Sequence, residues 1–152
     1  MRLISINSLR VKRMRKNEPI TNILSKDVIS AEEGQSLSHV SRLMSDHEIH
    51  HVPIVKARKL VGIVSFTDMI RLDLVTGTAP KQTIGAILDK QFSINDVMTT
   101  KIFSINEKGT VRDATEMLSS GKFHSLPIVD DDNMLVGIVT STDLIRYLSE
   151  QY

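Results

Sequence analysis

Two short stretches of this sequence place oxygen-bearing side chains where they could hold a ligand. Ser65-Phe-Thr67-Asp68 and Thr140-Ser-Thr142-Asp143 each follow an apolar run, Gly62-Ile-Val64 and Gly137-Ile-Val139, with the β-branched character of a strand. The hydroxyls and the Asp then stand at the start of a helix. Free backbone N–H groups and the positive end of the helix dipole suit an anion such as phosphate there. A hydroxyl can add a hydrogen bond to that phosphate, and the Asp can accept two from a ribose diol. The same spacing also builds a helix cap, because Ser65-x-x-Asp68 and Thr140-x-x-Asp143 satisfy the helix's own orphan donors. Occurrence at two matched positions keeps both readings open.

These stretches belong to a duplication. A shift of 74 residues lays Ile20–Val55 on Ile94–Val129, and from Leu60 onward the shift is 75. Leu60-Val-Gly-Ile-Val-Ser-Phe-Thr-Asp68 matches Leu135-Val-Gly-Ile-Val-Thr-Ser-Thr-Asp143, and His50-His-Val-Pro-Ile-Val55 matches His124-Ser-Leu-Pro-Ile-Val129. Two copies are too few for a solenoid, so they should pack on each other about a pseudo-two-fold axis.

Each copy predicts the order strand, helix, strand, strand, helix, an α+β unit with helices on one side of a small sheet. The first strands are expected at Asp27–Ala31 and Lys101–Ile105. The helices that follow carry apolar stripes, Leu37, Val40, Leu43 and Met44 in one copy and Val111, Ala114, Met117 and Leu118 in the other. Ser36 and Thr110 are their expected N-caps. Polar turns at Lys56–Lys59 and Asp130–Asn133 should join the hairpins Ile49–Val55 with Leu60–Ser65 and Phe123–Val129 with Met134–Thr140. Pro53 and Pro127 cannot donate to a ladder, which suggests an edge or a strand end. The expected divisions are a basic arm (1–17), a first repeat (18–71), a linker with a possible short helix (72–92) and a second repeat (93–152).

Other candidates read as structural. His50 and His51 are neighbours in a predicted strand, so their side chains should point to opposite faces, and no metal site is expected. His50 recurs as His124, which favours a shared structural or cleft-lining role. Asp130-Asp-Asp132 reads as a solvated turn. Arg71 and Arg146 follow each Asp by three residues and suit surface pairs. No Ser/His/Asp order, cysteine nucleophile, P-loop or metal set points to an enzyme.

Composition narrows the class. The 152 residues are 41% apolar and 24% charged, contain no cysteine, and hold no apolar run of the roughly 18 residues a membrane helix needs. Residues 1–17 carry six basic and no acidic side chains, leaving 13 basic and 18 acidic elsewhere. That arm suits nucleic acid, an anionic lipid, an acidic partner, a transit signal or simple solvation. With no apolar secretory core, cytoplasm is the default location.

The doubled pattern of a hydrophobic-Pro-hydrophobic strand followed by Gly-hydrophobic-hydrophobic-Ser/Thr-x-x-Asp resembles the CBS-domain pair, or Bateman module, from Pro19 to about Gln151. The resemblance implies tandem repeats with two clefts between them that take AMP, ADP, ATP or S-adenosylmethionine. It implies that Asp68 and Asp143 hold ribose, and that Ser65 and Thr140 hold phosphate, with Thr67 and Thr142 beside them. It further implies that Asp143 and Thr140 work with Ser25, Val28 and His51, and Asp68 and Ser65 with Thr99, Ile102 and Ser125. A regulatory, non-catalytic homodimer that signals to a protein target is the corresponding expectation, with no cofactor required; the alternatives are a sensor of S-adenosylmethionine or an NAD-type ligand, or a nucleic-acid-binding protein using the basic arm.

Overall fold

A computed structural model describes residues 17–76 and 81–152, with 73–76 and 81–85 described by their backbone alone. The basic arm through residue 16 and the linker residues Gly77, Thr78, Ala79 and Pro80 lie outside the described residues. The chain builds two three-stranded sheets of one design. The first holds β1 (Ala31–Glu32), β2 (His51–Lys56) and β3 (Lys59–Ser65), with α1 (Leu37–His47) between β1 and β2 and α2 (Phe66–Thr76) after β3. Two helices follow, α3 (Lys81–Gln91) and α4 (Ile94–Val97). The second sheet holds β4 (Ile105–Asn106), β5 (Ser125–Val129) and β6 (Leu135–Thr140), with α5 (Val111–Ser119) and α6 (Ser141–Ser149).

In each sheet the first strand pairs parallel and the last antiparallel to the middle one, and both hairpins shift register at the same place, Ile54/Val55 and Ile128/Val129. The first strands are shorter than the sequence predicts and lie at its C-terminal end, because only Ala31–Glu32 and Ile105–Asn106 reach a neighbour. Ser36 and Thr110 are N-caps, their hydroxyls accepting from the N–H groups of His39 and Asp113. The apolar stripes bury as their spacing requires, through Leu37, Val40 and Met44 in α1 and Val111, Ala114 and Leu118 in α5.

Pro53 and Pro127 sit in the middle strands, fully buried, and not at edges. The reason lies in the bonding of their partners. Pro53 faces Ile63, whose N–H and C=O turn away from β2 to bond Thr99 at 3.1 and 2.9 Å. Pro127 faces Ile138, which bonds Ser25 in the same way at 3.2 and 3.0 Å. Each proline therefore occupies a pair that exchanges no hydrogen bonds, and its missing donor faces the first strand, which is too short to reach it.

Those bonds also reveal an exchange between the repeats. The residues that lead into the first repeat pack on the second, and the reverse. Ile20 is buried among Ile105, Leu118, Leu126, Ile128 and Val139, with Ile23 and Leu24 against the same cluster. Ile94 is buried among Leu37, Val52, Ile54 and Val64, with Val97 and Met98 against that one. The packing units therefore trade the segments that open each sequence repeat. A further bridge, Lys59 to Met134, joins the edges of β3 and β6, and the Asn133 amide donates to the Leu60 carbonyl at 3.0 Å.

Gly62 and Gly137 belong to this crossing. A Cβ on Gly137 would stand 2.6 Å from Leu24 Cδ1 and 3.1 Å from the Ser25 carbonyl oxygen, and one on Gly62 would stand 2.3 Å from Met98 Sδ. Both glycines are explained by the passing chain, with no ligand needed.

Candidate functional site

Where Ser25 crosses β6, a cleft of about 550 Å³ opens at the N-terminus of α6. Thr140, Ser141, Thr142, Asp143, Arg146 and Ile138 come to it from the second repeat. Ser25, Asp27, Ile29, Glu48, Ile49, His50 and His51 come from the first, and His124 and Ser125 complete it. A duplicated fold with exchanged lead segments thus brings both halves of the sequence to one concavity.

The helix start is already capped. Asp143 Oδ2 accepts from the Thr140 N–H at 2.8 Å and from its hydroxyl at 2.9 Å, and Thr140 Oγ1 accepts from the Asp143 N–H at 3.2 Å. Arg146 donates to the other Asp143 oxygen at 3.1 Å, the surface pair expected from the spacing. The Ser141 N–H reaches the His124 carbonyl at 3.1 Å. Thr142, at the second helical position, presents an N–H that no preceding turn of helix can accept. The cap and a ligand site are therefore compatible: the cap fixes the turn, and Ser141, Thr142 and Asp143 all line the cleft.

The first-repeat counterpart has the same box, with Asp68 Oδ2 accepting from the Ser65 N–H at 2.9 Å and Ser65 Oγ from the Asp68 N–H at 3.1 Å. Thr99 pairs with Ile63, two residues before Ser65 along β3. Ile102, half-buried, follows in a turn where its N–H reaches the Thr100 carbonyl. Thr67 is exposed at the start of α2. Among the described residues, Arg71 makes no ion pair with Asp68 to match that of Arg146.

Several placements differ from the expected sets. Ser125, expected beside Asp68, lines the cleft of Asp143, where its register sets it opposite Thr140. Val28 lies in a separate depression with Lys26, Ser30 and Val136, and Asp27 and Ile29 line the cleft in its place. His50 and His51 both line this cleft, and His50, which precedes β2, also packs against Phe66 with ring centroids 5.6 Å apart. Burial pushes the His51 imidazole below its ordinary value, and the nearby His124 and His50 push it the same way, against a smaller opposing pull from Asp68. Asp27 and Glu48 gave no signal in the sequence; His124 did, through its recurrence.

One reading proved structural. Asp130 Oδ1 accepts from the N–H groups of Asp132 and Met134, both at 2.9 Å, so the acidic run holds its own turn. Among the described residues, no group of three or more His, Asp or Glu side chains is placed to hold a metal, and no helix is long and apolar enough to cross a membrane.

Two β-α-β-β-α units with exchanged lead segments and a cleft between them define a tandem-repeat binding fold. The CBS-domain profile matches residues 20–74 and 94–150, and the chain belongs to the CBS-domain family. A Methanocaldococcus jannaschii protein, MJ1426, is 30% identical over 85% of this chain and 90% of its own. Inosine-5′-monophosphate dehydrogenase of the same organism is 30% identical over 82% of this chain but only 22% of its own. The chain spans less than half the length of several such relatives, including a homoserine O-acetyltransferase of Methanohalobium evestigatum at 24%. Among solved structures, the CBS pair of MJ0100 in complex with 5′-methylthioadenosine and S-adenosyl-L-methionine superposes with a TM-score of 0.72 at 28% identity, over 90% of this chain and 99% of that one. MJ1225 of M. jannaschii superposes with a TM-score of 0.75 at 25% identity, over 91% and 50%.

Proposed function

We propose that this chain is a regulatory module that takes an adenosine-containing ligand in the cleft between its repeats and passes its occupancy to a partner protein. The observation that carries the reading is the meeting of Ser25 and His51 from one repeat with Thr140 and Asp143 from the other. A ligand there touches both halves and changes how they sit together. The outer oxygen of Asp143 suits a ribose hydroxyl, and the hydroxyls and N–H at the start of α6 suit one phosphate. The complex of the MJ0100 CBS pair with two adenosine compounds supports the ligand class. Ser65, Asp68, Thr67, Thr99 and Ile102 form the corresponding set on the other side.

In this reading the module is not an enzyme, because its hydroxyls and acids serve as caps and lack an activated nucleophile. It acts as a homodimer through the exposed apolar residues Phe66 and Ile70 on α2 and Ile145 and Leu148 on α6. Calorimetry with AMP, ADP, ATP, 5′-methylthioadenosine and S-adenosylmethionine tests it. At least one should bind and be recovered chemically unchanged; turnover, or silence from all five, would overturn the reading.

A further inference from the structure

The side chains around the Asp143 cleft are not neutral in balance. Three carboxylates line it, Asp27, Glu48 and Asp143, against one permanently charged cation, Arg146. That guanidinium already donates to Asp143. Among the described residues, no lysine lines the cleft. Burial, with His124 and His50 beside it, pushes the His51 imidazole toward its neutral form. The floor is of a different kind. Ser125 is only 7% exposed, and its hydroxyl has no hydrogen-bond partner among the described residues. A buried hydroxyl left without a partner is costly, so such a group points to a polar atom that arrives from outside the chain. Ser125 and His51 hold equivalent positions in the two repeats, and together they give this floor uncharged hydrogen-bonding groups.

We infer that this cleft selects adenosine compounds whose 5′ substituent is uncharged, cationic or a single phosphate, and discriminates against di- and triphosphates. The inference rests on the adenosine reading above and narrows it. One phosphate finds the Thr142 N–H and the hydroxyls of Ser141 and Thr142. A second and third bring added negative charge into a wall containing Asp27 and Glu48, where the described residues offer no cation besides Arg146. Ser125 serves the part common to all these ligands, the nucleoside.

The test is a set of dissociation constants for 5′-methylthioadenosine, AMP, ADP and ATP at pH 7.5 without magnesium. Affinity should fall from AMP to ADP to ATP by about threefold to tenfold for each phosphate, the scale of one more like charge at partly solvated distance. 5′-Methylthioadenosine should bind at least as tightly as AMP. The Asp27→Asn, Glu48→Gln double variant should compress the AMP-to-ATP ratio severalfold, and Ser125→Ala should weaken all four by a similar factor. ATP binding as tightly as AMP, or a ratio indifferent to the double variant, overturns the inference and leaves the adenosine reading standing. Failure of all four to bind overturns the inference together with the reading beneath it.

Discussion

Replacing Gly137 with Ala tests the exchange of lead segments directly. The glycine has no left-handed backbone to protect, so a methyl group acts only through what it meets. It would press on Leu24 Cδ1 and on the Ser25 carbonyl, and the second of these is backbone. Relief requires Leu24 to swing aside and the Ser25 carbonyl to give by a few tenths of an ångström, which strains the two hydrogen bonds between Ser25 and Ile138. Each contributes about 0.5–1.5 kcal/mol net, and overpacking that displaces backbone adds about 1–3 kcal/mol. The lower entropy of an unfolded Ala relative to Gly returns about 0.4–1 kcal/mol. A net loss of about 2–4 kcal/mol follows, which for a chain of this size lowers Tm by roughly 5–15 °C. Gly62→Ala is the internal control. Its methyl meets only the Met98 side chain, which can swing aside, so that variant should lose about 1 kcal/mol. Denaturant titration of both variants, with calorimetry for Tm, measures the difference. A Gly137→Ala protein within about 0.5 kcal/mol of wild type, or one less damaged than Gly62→Ala, would refute the reasoning.

Other outcomes follow from the site and the surface. Asp143→Asn keeps an acceptor for the Thr140 cap but loses the carboxylate, so it should fold normally and weaken adenosine-ligand binding by about tenfold or more; unaltered affinity would remove Asp143 from the site. His51 binds its proton less readily in the folded chain than in the unfolded one, so its contribution is intact above its ordinary value of 6.5 and is lost as pH falls through that value toward the lowered one. His51→Gln should therefore flatten the fall of Tm between about pH 7 and 5, and an unchanged profile would show that His51 does not drive it. Ile145, 66% exposed on α6, should lie in the dimer contact, so Ile145→Asp should halve the mass seen by light scattering; a wild type that is monomeric with and without ligand would sink that proposal.

Much of this architecture was legible because duplication doubles weak signals. The Leu60–Asp68 and Leu135–Asp143 blocks placed β3, β6 and the starts of α2 and α6, and the apolar stripes placed the buried faces of α1 and α5. The crossing was not legible, because nothing in the sequence of Ile20–Ser25 or Ile94–Thr99 says which sheet each will join. Gly62 and Gly137 leave room for a crossing chain on either sheet, and being equivalent they do not say which segment takes which seat. Pro53 misled for a related reason: a central strand accepts proline where the neighbouring strand stops short. Side-chain direction set the remaining limits. Val28 and Ile29 are equally apolar, and only the bend before β1 decides which of them looks into the cleft.

The exchanged segments also order events during synthesis. Ile20–Ser25 leave the ribosome among the first residues of the described chain, yet their seat on β6 does not exist until Ile138 has been made. Until then Ile20, which ends fully buried, has no core to enter. The edge of β3 waits in the same way for Thr99, and an unpaired edge beside an unfilled groove invites association with other chains. A nascent chain stalled before β6 should therefore need protection that the finished protein does not, even though its first sheet is already complete in sequence.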